Sequence, residues 1–266
     1  MHSSGSSPTD TTLPSADWES GAELASEIGE RPLTVVCSQA AAAHADTVAV
    51  IEDRGARHLT HEELDRLVAR WSARLTAAGV TPGARVGLCA AAQVEVPVGF
   101  LAVLAAGGVV VPIDPSLPSK RIREIAEGVG CHLTLATHTP LQALGDSLPA
   151  LNLSDDPGHH PPVTAPADPD RIAVVYHTSG STGRPKPVAI THRALSSRIL
   201  SMIDWFGVTA GEVTCAGSSL AFDPFLQQMF FALCSGGTLW LPDRTLLVDP
   251  AHFWPEAAAR GVTHLN

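Results

Sequence analysis

The sequence predicts an α/β fold built from mostly parallel sheets flanked by helices. Three observations lead there. Short apolar runs such as Val86–Cys89 and Val109–Ile113 alternate with segments patterned at helical spacing, and a parallel strand needs such a crossover before its neighbour. Hydrophobic residues make up 45% of the 266 positions and charged residues 17%, enough apolar side chain for a sizeable core. Finally, a loop dense in Gly, Ser and Thr follows one buried run and precedes a helix.

Residues 1–30 are polar and rich in small side chains, and read as a flexible tail. Order is expected from Arg31–Thr34 onward. Val48–Ile51 reads as a strand. Thr60-His61-Glu62-Glu63 has the form of a capping box. Leu64, Leu67, Val68, Trp71 and Leu75 then recur at helical spacing, and Gly79 sits at a helix C-terminus. Val94–Ala106 reads as a buried helix, Arg121–Glu127 as a helix and Leu133–Ala136 as a strand. A Pro/Asp/His-rich stretch, Ser154–Asp170, separates a first α/β lobe (31–165) from a second (166–266). In the second lobe, Ile172–Tyr176 is an expected strand and His192–Phe206 an expected helix. The apolar face of that helix carries Leu195, Ile199, Met202, Ile203 and Phe206. Glu212–Ala216 and Thr238–Leu241 read as strands, Pro224–Leu233 and Ala251–Arg260 as helices, and Val262–Leu265 as a last strand. Trp71 and Trp205 are both expected in the core.

Composition excludes several classes. Lys and Arg total 17 against 27 Asp and Glu, a net charge of −10, which disfavours a general nucleic-acid binder. The five cysteines, Cys37, Cys89, Cys131, Cys215 and Cys234, form no CxxC pair and read as small buried thiols in a reducing cytoplasm. Val96–Ile113 is uncharged but is interrupted by Pro97, Gly99, Gly107, Gly108 and Pro112. A buried helix and strand explain it better than a membrane span.

The chemistry concentrates in Thr178-Ser179-Gly180-Ser181-Thr182-Gly183-Arg184-Pro185-Lys186. Its glycines allow tight turning and close backbone approach to a ligand. The hydroxyls of Thr178, Ser179, Ser181 and Thr182 can donate to anionic oxygens, backbone N–H groups can form an anion nest, and Lys186 adds a positive charge. A polyphosphate is the ligand such a loop suits. The loop is neither a Walker A sequence nor a nucleophile elbow.

The stretch Tyr176–His192, YHTSGSTGRPKPVAITH, resembles the phosphate-loop signature of adenylate-forming (AMP-binding) enzymes. Leu59-Thr60-His61-Glu62-Glu63-Leu64 resembles the first core motif of that superfamily. Leu104–Asp114 resembles the second, and Phe222-Asp223 with Gln228-Met229-Phe230 the fourth. The four occur in the family's order across residues 31–266. The resemblance implies the N-terminal subdomains of the adenylate-forming fold, ending before its C-terminal subdomain. It also implies the reaction: a carboxylate attacks the α-phosphate of ATP, and the resulting adenylate passes to a phosphopantetheine thiol.

Further implications concern the site. The phosphate-binding set is Thr178, Ser179, Gly180, Ser181, Thr182, Gly183 and Lys186, with Mg²⁺ supplying further positive charge. Asp223 occupies the position that pairs with a substrate α-ammonium in amino-acid-activating members, as in nonribosomal peptide synthetase adenylation domains. Asp223 is expected as a buried carboxylate with that ammonium as partner; a helix N-cap before Pro224 is its alternative role. Phe222, Pro224, Gln227 and Asn266 are expected beside it. The partners implied are an amino acid and a peptidyl carrier protein, with no nucleic acid or membrane. The chain departs from the family at His177, Pro187 and Phe225, and the catalytic lysine, the adenine-site acid and the ribose aspartate lie downstream in the family. No residue here is therefore assigned as catalytic or as a metal ligand. Two other readings stand beside amino-acid activation: part of an acyl- or aryl-CoA synthetase, and a non-catalytic nucleotide-binding or interaction half-domain.

Overall fold

The computed structural model describes residues 29–52, 57–137, 148–161, 168–179 and 185–265. Most of the expected tail, the loop residues Gly180–Arg184 and Asn266 lie outside the described residues.

The chain opens with helix α1 (Leu33–Ala43), strands β1 (Val48–Glu52) and β2 (Arg57–Thr60), and helix α2 (His61–Ala77). The capping box forms: Thr60 accepts from the Glu63 N–H, and the Glu63 carboxylate accepts from the Thr60 N–H at 2.9 Å. β3 (Arg85–Cys89), α3 (Glu95–Ala105), β4 (Val109–Pro112), α4 (Ser119–Gly128), β5 (Leu133–Ala136) and β6 (Ala150–Asn152) follow. Every residue of α3 from Glu95 to Leu104 is buried. It is a core helix, and among the described residues no helix is long and apolar enough to cross a membrane. β7 (Ile172–Ser179), β8 (Pro185–Thr191) and α5 (His192–Phe206) carry the Gly/Ser/Thr segment. β9 (Val213–Cys215), α6 (Pro224–Ser235), β10 (Thr238–Leu241), α7 (Arg244–Leu247), α8 (Pro250–Ala259) and β11 (Val262–Leu265) end the described chain.

Two mixed sheets form. The first has the order β11-β9-β10-β1-β2 and the second β6-β5-β3-β4-β7-β8. Each is parallel except for one antiparallel edge hairpin, β1–β2 in the first and β7–β8 in the second. Sheet membership cuts across residue 165: β1 and β2 join the late strands, while β7 and β8 complete the sheet begun by β3. Between the sheets lies a continuous core in which Phe100 of α3 meets Phe230 of α6 edge-on, with centroids 6.0 Å apart. A smaller cluster stacks Trp240 on Phe253 at 5.7 Å. Gly236 caps α6 at φ +80°, and a Cβ there would stand 2.1 Å from the His44 ring, so both conformation and space require glycine.

Several expectations are corrected. α1, β2, β6, β8 and α7 were not foreseen. Trp71 is core, but Trp205 is 83% exposed. At about 100° per residue, Trp205 falls about 80° to the side of Leu195, off the stripe that α5 buries. Phe206 is also largely exposed, near the left-handed Gly207 that ends α5. Four of the cysteines are buried and Cys234 is partly so, yet the fold brings Cys37 Sγ and Cys234 Sγ to 3.5 Å. The neighbouring Cys234 sulfur, then burial, holds the Cys37 thiol well above its ordinary pKa.

Candidate active site

In open α/β sheets, ligands gather at the carboxyl ends of the parallel strands. Here β4 and β7 are parallel neighbours, so Asp114, just past β4, and Thr178, near the end of β7, lie at the same edge of the second sheet. The first sheet reaches this edge through the segment after β9. Ser219 Oγ donates to Asp114 Oδ2 at 3.0 Å. Asp114 Oδ1 accepts from the Ser116 N–H at 2.8 Å and the Ser116 hydroxyl at 2.6 Å. Burial pushes the Asp114 carboxyl up, but these hydrogen bonds and the charge of Arg244 outweigh it and hold its pKa below the usual value.

The β9–α6 segment is fixed again from below. Gln228, fully buried on α6, accepts from the Ser218 N–H at 3.2 Å and donates to Ser218 Oγ at 3.3 Å. The Phe222 N–H then closes a turn on the Ser219 carbonyl at 2.9 Å. This turn delivers Asp223 to the start of α6, where Pro224 occupies the first turn.

Asp223 is not deeply buried, and it holds the N-cap position of α6 without a side-chain capping bond. It has helical dihedrals (φ −60°, ψ −29°), and its side chain caps no N–H. Its carboxylate is about half exposed and pairs through Oδ2 with Arg198 Nη1 of α5 at 2.9 Å. The expectation of a buried carboxylate awaiting a cation is corrected on both counts: solvent reaches it, and a guanidinium already stands on it. Phe222 beside it is 63% exposed.

Tyr176 belongs to the same cluster. Its ring is buried on β7, and its hydroxyl has no hydrogen-bond partner among the described residues. Burial raises its pKa most, the Asp223 charge raises it further, and the Arg198 charge opposes them. A buried hydroxyl without a partner costs about 1–3 kcal/mol, which a ligand acceptor or an ordered water would relieve.

The β7–β8 ladder pairs Thr178 with Lys186 and Ser179 with Pro185, so the Gly-rich residues form the connection of this hairpin. Directly paired residues share a face of a sheet, as do residues two apart, so Tyr176, Thr178 and Lys186 project to one side. Lys186 is exposed, and its amine makes no ion pair with a described residue. Pro187 is tolerated because β8 is an edge strand. On the other face, His177 has a buried Nδ1 without a partner among the described residues; burial, then the charge of Arg121, lowers its pKa.

Gln227 lies elsewhere. It lines a cleft of about 230 Å³ with Phe206, Thr214, Gln228, Phe231 and His264. The structure therefore gathers Asp223, Arg198 and Tyr176 at one place and Gln227 with the end of β11 at another. Sequence reading missed Arg198, Ser219 and the supporting role of Gln228. The usable signal for Arg198 was a cation beside the apolar stripe of an amphipathic helix.

A fold of two mostly parallel sheets, with a Gly/Ser/Thr hairpin and a carboxylate at their shared edge, is that of the N-terminal part of an adenylate-forming enzyme. The chain matches the AMP-binding enzyme family over residues 37–266 and belongs to it, a family of adenylate-forming ligases. It is 36% identical over 191 residues to the AMB antimetabolite synthetase AmbB of Pseudomonas aeruginosa, covering 70% of this chain and 15% of that protein. It is 35% identical over 216 residues to tyrocidine synthase 3 of Brevibacillus parabrevis, covering 77% of this chain and 3% of that protein. Among solved structures, the nonribosomal peptide synthetase FmoA3 with α-methyl-L-serine-AMP bound superposes with a TM-score of 0.80 at 27% identity. That match covers 88% of this chain and 26% of the other. The four-domain synthetase AB3403, bound to AMP and glycine, gives a TM-score of 0.78 at 25% identity, covering 92% and 19%. The chain thus spans a small part of the length of these relatives.

Proposed function

We propose that this chain supplies the N-terminal part of an amino-acid-activating adenylation unit in nonribosomal peptide assembly. The amino acid carboxylate attacks the α-phosphate of ATP and pyrophosphate leaves. The thiol of phosphopantetheine on a peptidyl carrier protein then attacks the aminoacyl-adenylate, forming the thioester and releasing AMP, in the cytoplasm. The observation that carries this reading is Asp223, a carboxylate at the strand edge that also holds the phosphate-type hairpin. Thr178, Ser179, Gly180, Ser181, Thr182, Gly183 and Lys186 would hold the β- and γ-phosphates. The Lys186 amine, which makes no ion pair among the described residues, lies on the face shared with Thr178 and suits that role. Among the described residues there is no group of three or more His, Cys, Asp or Glu side chains placed to hold a metal; Mg²⁺ is typically held by one or two carboxylates together with substrate phosphates and would supply further positive charge there. Phe222, Asp223 and Pro224 would line the amino-acid end; Gln227 lines a separate cleft, and Asn266 lies outside the described residues.

The test is ATP–pyrophosphate exchange in the full reading frame that contains this sequence, screened across the twenty amino acids. Exchange driven by one or a few of them is expected. Exchange driven only by acids without an amino group would move the chain to the acyl- or aryl-CoA synthetase class, and no exchange with any acid would favour a non-catalytic module.

A further inference from the structure

We propose that Arg198 is a specificity-determining residue of the acid-binding site: its guanidinium competes with the substrate's α-ammonium for Asp223. The site thereby accepts carboxylic acids that lack this ammonium more readily than an unpaired aspartate would. The inference rests on the amino-acid reading above and deepens it.

Three observations carry it. First, Arg198 Nη1 lies 2.9 Å from Asp223 Oδ2, and both side chains are half exposed, so the pair sits where a ligand can reach it. Second, Arg198 has no ion-pair partner other than Asp223 among the described residues. Its neighbours Leu195, Ser196, Ile199 and Leu200 are buried, which fixes the turn of α5 that presents it. Third, the buried Tyr176 hydroxyl feels both charges and has no hydrogen-bond partner among the described residues, so the cluster includes an unused donor beside the ion pair.

The physical consequence follows from charge. A lone carboxylate strongly prefers a cationic group beside it, and a substrate without one leaves that carboxylate unpaired. A guanidinium already in place removes that penalty and repels an incoming ammonium. Arg198 therefore lowers discrimination between an amino acid and its deamino counterpart. Because the pair is half exposed, screening keeps the effect modest. Removing the guanidinium should raise the preference for the amino acid about fivefold, or about 1 kcal/mol at 1.4 kcal/mol per factor of ten.

The test compares, in the same full reading frame, exchange kinetics for the best amino acid of the twenty-member screen and for the identical acid without its 2-amino group. Arg198→Leu should raise the ratio of kcat/KM values about fivefold, mainly through a lower KM for the amino acid, with kcat little changed. Arg198→Lys keeps a cation on Asp223 and should keep the wild-type ratio; it also serves if the leucine variant does not fold. A ratio unchanged in Arg198→Leu, or equal losses for both substrates, overturns the proposal. Asp223→Ala separates the two levels. If it leaves the wild-type ratio intact, the ammonium reading of Asp223 itself fails. If it alters the ratio while Arg198→Leu does not, only the role of Arg198 fails.

Discussion

Replacing Gln228 with leucine should loosen the turn that delivers Asp223 without opening a large cavity. The two side chains have similar volume, so packing changes little. The losses include the hydrogen bonds to the Ser218 N–H and Oγ at 3.2 and 3.3 Å. Each ordinary hydrogen bond contributes about 1 kcal/mol net, and a stranded N–H raises the cost, so the loss should be about 1–3 kcal/mol. For a chain of this size, 1 kcal/mol corresponds to about 2–4 °C in Tm. Calorimetry should therefore show a fall of about 2–12 °C. A Ser218→Ala variant and the double mutant complete the cycle, with a coupling of about 1 kcal/mol expected between the residues. An unchanged Tm in Gln228→Leu would refute the idea that Gln228 holds this turn, whereas additive losses in the double mutant would refute only the bond to Ser218 Oγ, because Ser218→Ala keeps the backbone N–H.

Lys186→Ala should change the unfolding free energy by no more than about 0.5 kcal/mol, because the residue is exposed and makes no ion pair among the described residues. It should raise the KM for ATP in exchange about tenfold, as expected for losing one charge-assisted contact to phosphate. An unchanged KM would sink the phosphate assignment. Thr60→Ala removes the capping-box acceptor of α2 and should cost about 1 kcal/mol by urea unfolding, and a cost near zero would contradict it. Burial is the largest cause of depressed imidazole pKa values at His61, His177 and His192. Below about pH 6.5 the unfolded chain then binds more protons than the native one, so their contribution is full above that pH and is lost as pH falls. The urea midpoint should drop between pH 7 and 5.5, and a flat midpoint across that window would contradict the assignment.

Elements set by local chemistry were legible in the sequence. The α2 start follows from Thr60 and Glu63, three residues apart, and α6 begins at Pro224, where proline costs no hydrogen bond. α1 escaped because Pro32 gives its N-terminus no side-chain cap and its Ala-rich sequence has little polar contrast around the helix. β8 escaped because Pro185 and Pro187 read as strand breakers, and only its edge position makes them acceptable. The Gly/Ser/Thr segment proposed to bind phosphate stands out as a composition in one stretch of chain, and its central residues Gly180–Arg184 lie outside the described residues. The Arg198–Asp223 pair does not stand out in the sequence, because it joins two helices through a loop, and no periodicity within either helix specifies which cation meets which carboxylate. The Cys37–Cys234 contact is a more extreme case, spanning 197 positions.

The Asp114–Ser219 bond explains why the site needs both sheets. The hairpin carrying Lys186 belongs to the second sheet, whereas Asp223 follows a strand of the first. Under the proposed function, acid activation would require the substrate carboxylate and the nucleotide phosphate to meet within bonding reach, so the two sheets would have to hold a fixed offset at this edge. The apolar core between them sets their separation but is non-directional and tolerates small sliding. Directional contacts fix what the core leaves free. Asp114, held by Ser116 at the end of β4, takes Ser219 from the segment after β9, while Gln228 grips the adjacent Ser218 from α6. Two neighbouring serines thus tie the Asp223 turn to both sheets. The lowered pKa of Asp114 keeps its carboxylate ionised, and so able to accept these bonds, throughout the neutral range.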